Sequence, residues 1–118
     1  MKNYKELEIW QKGVDLTVEV YQMTRTFPPE EKFGLVSQIQ RAATSVPANI
    51  AEGWGRGSTK EYIQFLRVAR ASLMELETHL ILAGRLSYIQ GDRSGKLRQE
   101  VETLGKRINS LIQSLLRR

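Results

Sequence analysis

The segment Ala48–Tyr62, ANIAEGWGRGSTKEY, places glycines at 53, 55 and 57 just ahead of Ser58, Thr59 and Lys60. Glycines followed by hydroxyls and a lysine are the ingredients of a phosphate cradle, where backbone N–H groups and an ammonium meet the anion. The spacing argues against both familiar forms. A dinucleotide fingerprint needs G-x-G-x-x-G after a strand, whereas this stretch reads G-x-G-x-G after a helical pattern. A P-loop needs glycine, lysine and Ser/Thr in that order, and here Ser58 and Thr59 precede Lys60. The residues fit a turn better. Gly53 or Gly55 would end one helix in a left-handed conformation, and Ser58 with Glu61 would open the next as an S-x-x-E capping box. Arg56, Lys60 and the free N–H groups at that helix start would still make a modest anion site.

Other chemistry is scarce. The only histidine is His79 and there is no cysteine, so a thiol nucleophile, a thiolate metal site and a disulfide are all excluded. Glu75 and Glu77 stand two apart and point in different directions on a helix. No E-x-x-H pairs occur on two helices, as a di-iron bundle would require. His79 reads as a packing or surface residue, and the chain reads as a nonenzyme with no metal and no cofactor.

Charge is more informative. Residues 1–84 hold ten Lys/Arg and ten Asp/Glu, whereas residues 85–118 hold eight against three, so the whole net charge of +5 lies in the C-terminal segment. Such a segment draws polyanions, of which nucleic acid is the commonest; the competing reading is a solvated helix face.

The 118 residues fit one domain spanning 1–118. No apolar run approaches the roughly 20 residues of a membrane span, and the first residues lack the apolar centre of a signal peptide. The expectation is a cytoplasmic protein with no membrane partner. Apolar residues recur with helical period throughout, and after the N-terminus Gly/Pro clusters fall only at FPPEE, GWGRGS and QGDRSG. Three breaks between four periodic segments predict an all-α, antiparallel, up-down-up-down four-helix bundle. The predicted helices run from about Leu7 to Thr26, Pro29 to Gly53, Thr59 to Leu86 and Arg93 to Leu116.

Tyr62, Leu66, Ala69, Leu73, Leu76, Leu80 and Ala83 form a heptad seam on the third segment. Val36, Ile39, Ala43, Val46 and Ile50 repeat it on the second, and Leu97, Val101, Leu104, Ile108, Leu111 and Leu115 on the fourth. Each buried Leu or Ile contributes about 1.5–3 kcal/mol, so these seams are the expected core. Pro47 frees the Ala43 carbonyl, yet the rhythm continues on both sides, which predicts one kinked helix and not two.

The first segment carries two apolar stripes. Leu7, Trp10, Val14, Val18 and Tyr21 form one, and Ile9, Leu16, Val20 and Met23 form another. One stripe suffices for the core. The second is read as a subunit interface, against the alternative of a single broad core stripe. Ile63, Met74 and Ile81 add a weaker apolar face on the third helix. A polar row on the second helix, Gln38, Arg41, Ser45, Asn49 and Glu52, suits a hydrogen-bonded contact with another subunit or a solvated face.

The stretches QIQRAATSVPANIAEGWGR and EYIQFLRVARASLMELETHL, with LEIWQKGVDL before them, resemble the four-helix-bundle family of 23S rRNA intervening-sequence proteins, also described as S23-like. NIAEG and ELET are the specific elements, and the resemblance runs from about Tyr4 to about Ile89, with the fourth helix matching in pattern. Gln38, Arg41, Ala42, Ser45, Asn49, Ile50, Ala51, Glu52, Gly53, Phe65, Ala69, Ser72, Glu75 and Glu77 fall on the family pattern. Ala71 stands where glycine is frequent, and His79 where glutamine is frequent. The resemblance implies a homopentamer and brings no catalytic residues. It extends to accessory variability proteins of diversity-generating retroelements, basic pentameric bundles that associate with a reverse transcriptase and nucleic acid.

The primary expectation is a ring-like oligomer that binds RNA or DNA through phosphate contacts from Arg93, Lys96, Arg98, Lys106, Arg107, Arg117 and Arg118, with Arg56 and Lys60 as lesser ones. On a helical projection the fourth-helix charges spread around the polar side, which favours diffuse electrostatic binding over sequence-specific readout. No repeated aromatic platform is visible, since Trp10 and Trp54 stand far apart in sequence. The competing expectation is an oligomeric scaffold for a protein client such as a reverse transcriptase.

Overall fold

The computed structural model describes residues 2–118, which form four helices: α1 (Glu8–Thr24), α2 (Leu35–Gly55), α3 (Thr59–Arg85) and α4 (Gly91–Leu116). Short 3-10 turns at Tyr4–Glu6 and Pro29–Glu31 precede α1 and α2, and no strand occurs among the described residues. The predicted second helix is therefore split. Pro29 starts only a single turn, because Gly34 (φ −106, ψ −110) leaves the helical region before α2 begins. The Glu31 carboxylate, at 3.1 Å, accepts the Leu35 N–H left free at the new helix start.

The core follows the α3 seam closely. Leu66, Ala69, Leu73, Leu76, Leu80 and Ala83 are all buried, and only Tyr62 is partly exposed. On α2, Ile39, Ala43, Val46 and Ile50 are buried behind a half-buried Val36. On α4 the seam bends: Ile112 is buried and Leu111 only packs against the core from its edge. A 3.6-residue helix that is not supercoiled drifts from a strict heptad, and position 112 lies four after Ile108.

The α1 assignment is inverted. Ile9, Leu16, Val20 and Met23, expected at a subunit interface, are buried in the core of this chain. Of the other stripe, Leu7 is buried and Trp10 and Val14 half-buried, while Val18 is 52% and Tyr21 42% exposed. The cause is Gly13, which at about 100° per residue falls on the Ile9 and Val20 side of the helix. A Cβ there would stand 3.3 Å from the ring of Pro47, so the missing side chain lets α2 approach on that face. Thr17 sits beside it. Its hydroxyl lies 3.1 Å from the Ala43 carbonyl and 2.8 Å from that of Gly13, so it can donate to the acceptor that Pro47 leaves free. α2 runs unbroken through Pro47, as one helix.

Neighbouring helices meet at definite pairs. Gly13 packs on Pro47 and Gln40 donates to Thr24; Ser45 meets Ser72; Gly84 faces Ser94 and Arg70 donates to Asn109. Among the described residues the backbones of α1 and α3 each approach those of α2 and α4 within 8 Å between Cα atoms, but not each other's.

Each glycine of the α2–α3 turn has its own task. Gly57 (φ 73) is the left-handed residue, in place of Gly53 or Gly55. Gly53 is buried within α2, where an added Cβ would stand 2.6 Å from the Cβ of Phe65. Ser58 does cap α3, its hydroxyl accepting the Glu61 N–H at 3.3 Å.

Candidate nucleic-acid interface

The basic residues of α4 divide between two grooves. Lys96 and Arg107 line the groove between α1 and α4, where Lys12 of α1 joins them opposite Asp15, Glu19 and Glu100. Lys106 lines the α3–α4 groove and pairs with Glu102 at 3.2 Å. Arg107 also forms an ion pair with Glu8, which ties α4 to the start of α1. Arg93 borders a cleft formed with Ser87, Tyr88 and Gln90 ahead of α4, and Arg98 is exposed.

Arg117 and Arg118 are exposed at the far end of α4. Arg56 lies 3.0 Å from Glu52 and 4.9 Å from the centroid of the Phe65 ring, so its charge is already engaged, whereas Lys60 is exposed on the first turn of α3. Among the described residues Arg93, Lys96, Arg98, Lys60, Arg117 and Arg118 have no carboxylate within 4.0 Å. Lys12 was missed in the sequence because the first 84 residues balance their charges; only packing sets it beside Lys96.

The α1–α4 groove has an electrostatic peculiarity. The Glu100 carboxyl is pushed above its ordinary value, first by burial, then by a hydrogen bond to Glu19 and by that neighbour's charge, against the pull of Lys96 and Lys12. The groove thus holds carboxylates close together beside Lys96 and Lys12, and it carries both signs of charge.

The polar row on α2 is mixed. Gln38 and Arg41 are exposed, and Glu52 holds Arg56. Ser45 and Asn49 are engaged within the chain: the Ser45 and Ser72 hydroxyls are 2.7 Å apart, and the Asn49 amide donates to the Ser45 carbonyl and hydroxyl. His79 is buried, its Nε2 3.4 Å from Glu75 and its Nδ1 without a partner among the described residues. The Tyr62 hydroxyl is likewise buried and unpartnered, and burial raises its pKa. No group of three or more His, Asp or Glu among the described residues is placed to hold a metal ion, and no helix is long and apolar enough to cross a membrane.

The chain is similar to the crystal structure of a protein of unknown function from the S23 ribosomal protein family of Bacteroides thetaiotaomicron, at 26% identity and a TM-score of 0.83, covering 89% of this chain and 95% of that one. No curated protein matches it. Residues 5–110 match the model of the 23S rRNA-intervening sequence protein family, a span that takes in α1, α2 and α3 and most of α4. The chain belongs to the 23S rRNA-intervening sequence protein family.

Proposed function

We propose that this protein is a nonenzymatic, cytoplasmic, antiparallel up-down-up-down bundle that assembles into a homopentamer and binds RNA or DNA through phosphate contacts. The observation that carries the binding reading is the placement of charge. The net excess of +5 lies in residues 85–118, and Arg93, Lys96, Arg98, Arg117 and Arg118 project from it with no carboxylate partner among the described residues. Cations held on both flanks of one helix meet a phosphate backbone without reading bases. Two contacts in each neighbouring pair support the antiparallel order: Gly13–Pro47 with Thr24–Gln40, Ser45–Ser72 with Gly53–Phe65, and Gly84–Ser94 with Arg70–Asn109, the number rising on one helix as it falls on the other.

Fluorescence anisotropy of labelled structured RNA and matched duplex DNA, titrated at several salt concentrations, tests the binding. A linear fall of log affinity with log salt is expected, its slope counting the phosphates neutralised, and Lys96→Gln with Arg98→Gln lowers that slope by about 2. Absence of binding to either ligand at low salt overturns the reading.

For assembly, the apolar groove between α1 and α2 replaces the stripe expected from sequence. Trp10, Val14 and Val18 line it with Thr44, Pro47, Ala48 and Ala51, small residues that admit a neighbouring helix. Light scattering of the wild type and of Val18→Asp tests it: an oligomer that the substitution disperses is expected, and a wild-type monomer at working concentration sinks it.

A scaffold for a protein client such as a reverse transcriptase is the second reading. Val68, Met74 and Leu82 on α3 and Leu86 just past its end are all 45% or more exposed, apolar surface that RNA would not need. A nuclease-resistant protein companion on purification would favour it.

A further inference from the structure

The α2–α3 turn and the last turn of α4 border an open pocket of about 350 Å³. Its wall is aromatic: the Trp54 and Tyr62 rings meet edge to face, with centroids 6.1 Å apart. Leu7, Leu111 and Leu115 give it an apolar floor, while Ser58, Thr59 and Arg118 give it a polar rim. Gly57 (φ 73) turns the chain beside it, in a left-handed conformation that a side chain would strain. Trp54 and Arg118 are 64 residues apart and only the fold brings them to one cavity.

A volume near the lower end of small-molecule sites suits one planar ring system. The apolar and aromatic walls favour a flat, weakly hydrated face, and the guanidinium at the rim favours an anion attached to it. A nucleobase bearing a phosphate meets both demands. In a paired duplex the face of the base is stacked out of reach; in a bulge or at an unpaired end it is free.

We propose that this pocket takes one unpaired nucleotide, its base against Trp54 and Tyr62 and its phosphate on Arg118; the proposal rests on the nucleic-acid reading above. The pocket thereby adds a preference for unpaired positions to binding that the α4 cations leave indifferent to structure.

Trp10→Phe leaves Trp54 as the only tryptophan, so its emission reports on the pocket. Titration with adenosine monophosphate is expected to change that emission saturably, and Arg118→Gln to weaken the apparent affinity about fivefold, the loss of one exposed charge-assisted contact. No response at millimolar nucleotide, or the same response to inorganic phosphate alone, overturns the proposal. A second measurement compares, by anisotropy, a fully paired RNA duplex with the same duplex carrying one bulged adenosine. Tighter binding of the bulge, kept in Lys96→Gln and lost in Arg118→Gln, supports the pocket, and equal binding of the two overturns it. Salt-dependent binding of the paired duplex reads the α4 cations separately, so failure of the pocket and failure of the wider reading are distinguishable.

Discussion

α3 and α1 are both rich in apolar residues, yet they distribute them differently. α3 buries Leu66, Leu73, Leu76 and Leu80 along one line and keeps Val68, Met74 and Leu82 on its outer side. α1 divides its apolar residues almost evenly between two lines, and a projection of α1 alone gives no reason to bury one before the other. What separates them is a residue with no side chain: Gly13 on the Ile9–Val20 side admits Pro47, and the Val18–Tyr21 side is left to solvent. Periodicity states that a helix has an apolar face; the neighbour's closest approach decides which face.

That contrast can be tested by substitution, read as changes in unfolding free energy under denaturant. Leu76→Ala, at the fully buried centre of α3, is expected to cost about 2–5 kcal/mol. On α1 the pair Val20→Ala and Val18→Ala is the sharper test. The first removes two methyl groups from a fully buried site and costs about 1–3 kcal/mol, whereas the second, at 52% exposure, stays within about 0.5 kcal/mol for the monomer. Equal losses at the two positions would break the comparison.

Gly13→Val pushes a branched side chain into the Pro47 ring, with an expected loss of about 1–3 kcal/mol from overpacking. Thr17→Val keeps the shape and leaves the Ala43 carbonyl without its donor, at about 1 kcal/mol.

The smallest effect is electrostatic. Because the Glu100 carboxyl is raised in the fold, its protonated form is favoured there. Its contribution is full below the ordinary carboxylate value and is lost as pH rises through the raised one. Glu100→Gln keeps a hydrogen-bonding group beside Glu19 and cannot ionise. Stability is expected to become flatter across the weakly acidic range, with a gain of only about a few tenths of a kcal/mol at neutral pH for a carboxyl that solvent still reaches at the edge of the groove. Chemical denaturation of both proteins across that range checks the sign, and an unchanged pH profile would break the link between Glu100 and the acid dependence.

Much of the fold is legible in the residue pattern. The breaks at FPPEE, GWGRGS and QGDRSG separate the helices, the α3 seam holds residue for residue below Tyr62, and Ser58 caps α3 as its spacing to Glu61 suggests. Element ends are less legible. Pro29 fits a first helical turn, but Gly34 stops the helix from growing out of it. The interface residues are the least legible, since Ile9, Leu16, Val20 and Met23 belong to the core. Among the basic residues the exposed positions follow from polarity, but their partners do not. Arg107 meets Glu8 across 99 positions, and Lys12 joins Lys96 in a groove that local pattern does not predict.

The sequence by itself determined four helices with no strand among the described residues, the α3 seam, the concentration of charge in residues 85–118 and the membership of the family that residues 5–110 match. These depend on neighbours three, four or seven positions apart, or on composition, and local geometry carries them. The tertiary structure alone decided which α1 stripe is core, which hydroxyl answers the carbonyl freed by Pro47, and that Trp54, Tyr62 and Arg118 border one pocket. Each of these depends on how closely two helices approach, which is set where Gly13 meets Pro47 and Gly53 meets Phe65, and a contact between distant segments leaves no period in the chain that forms it.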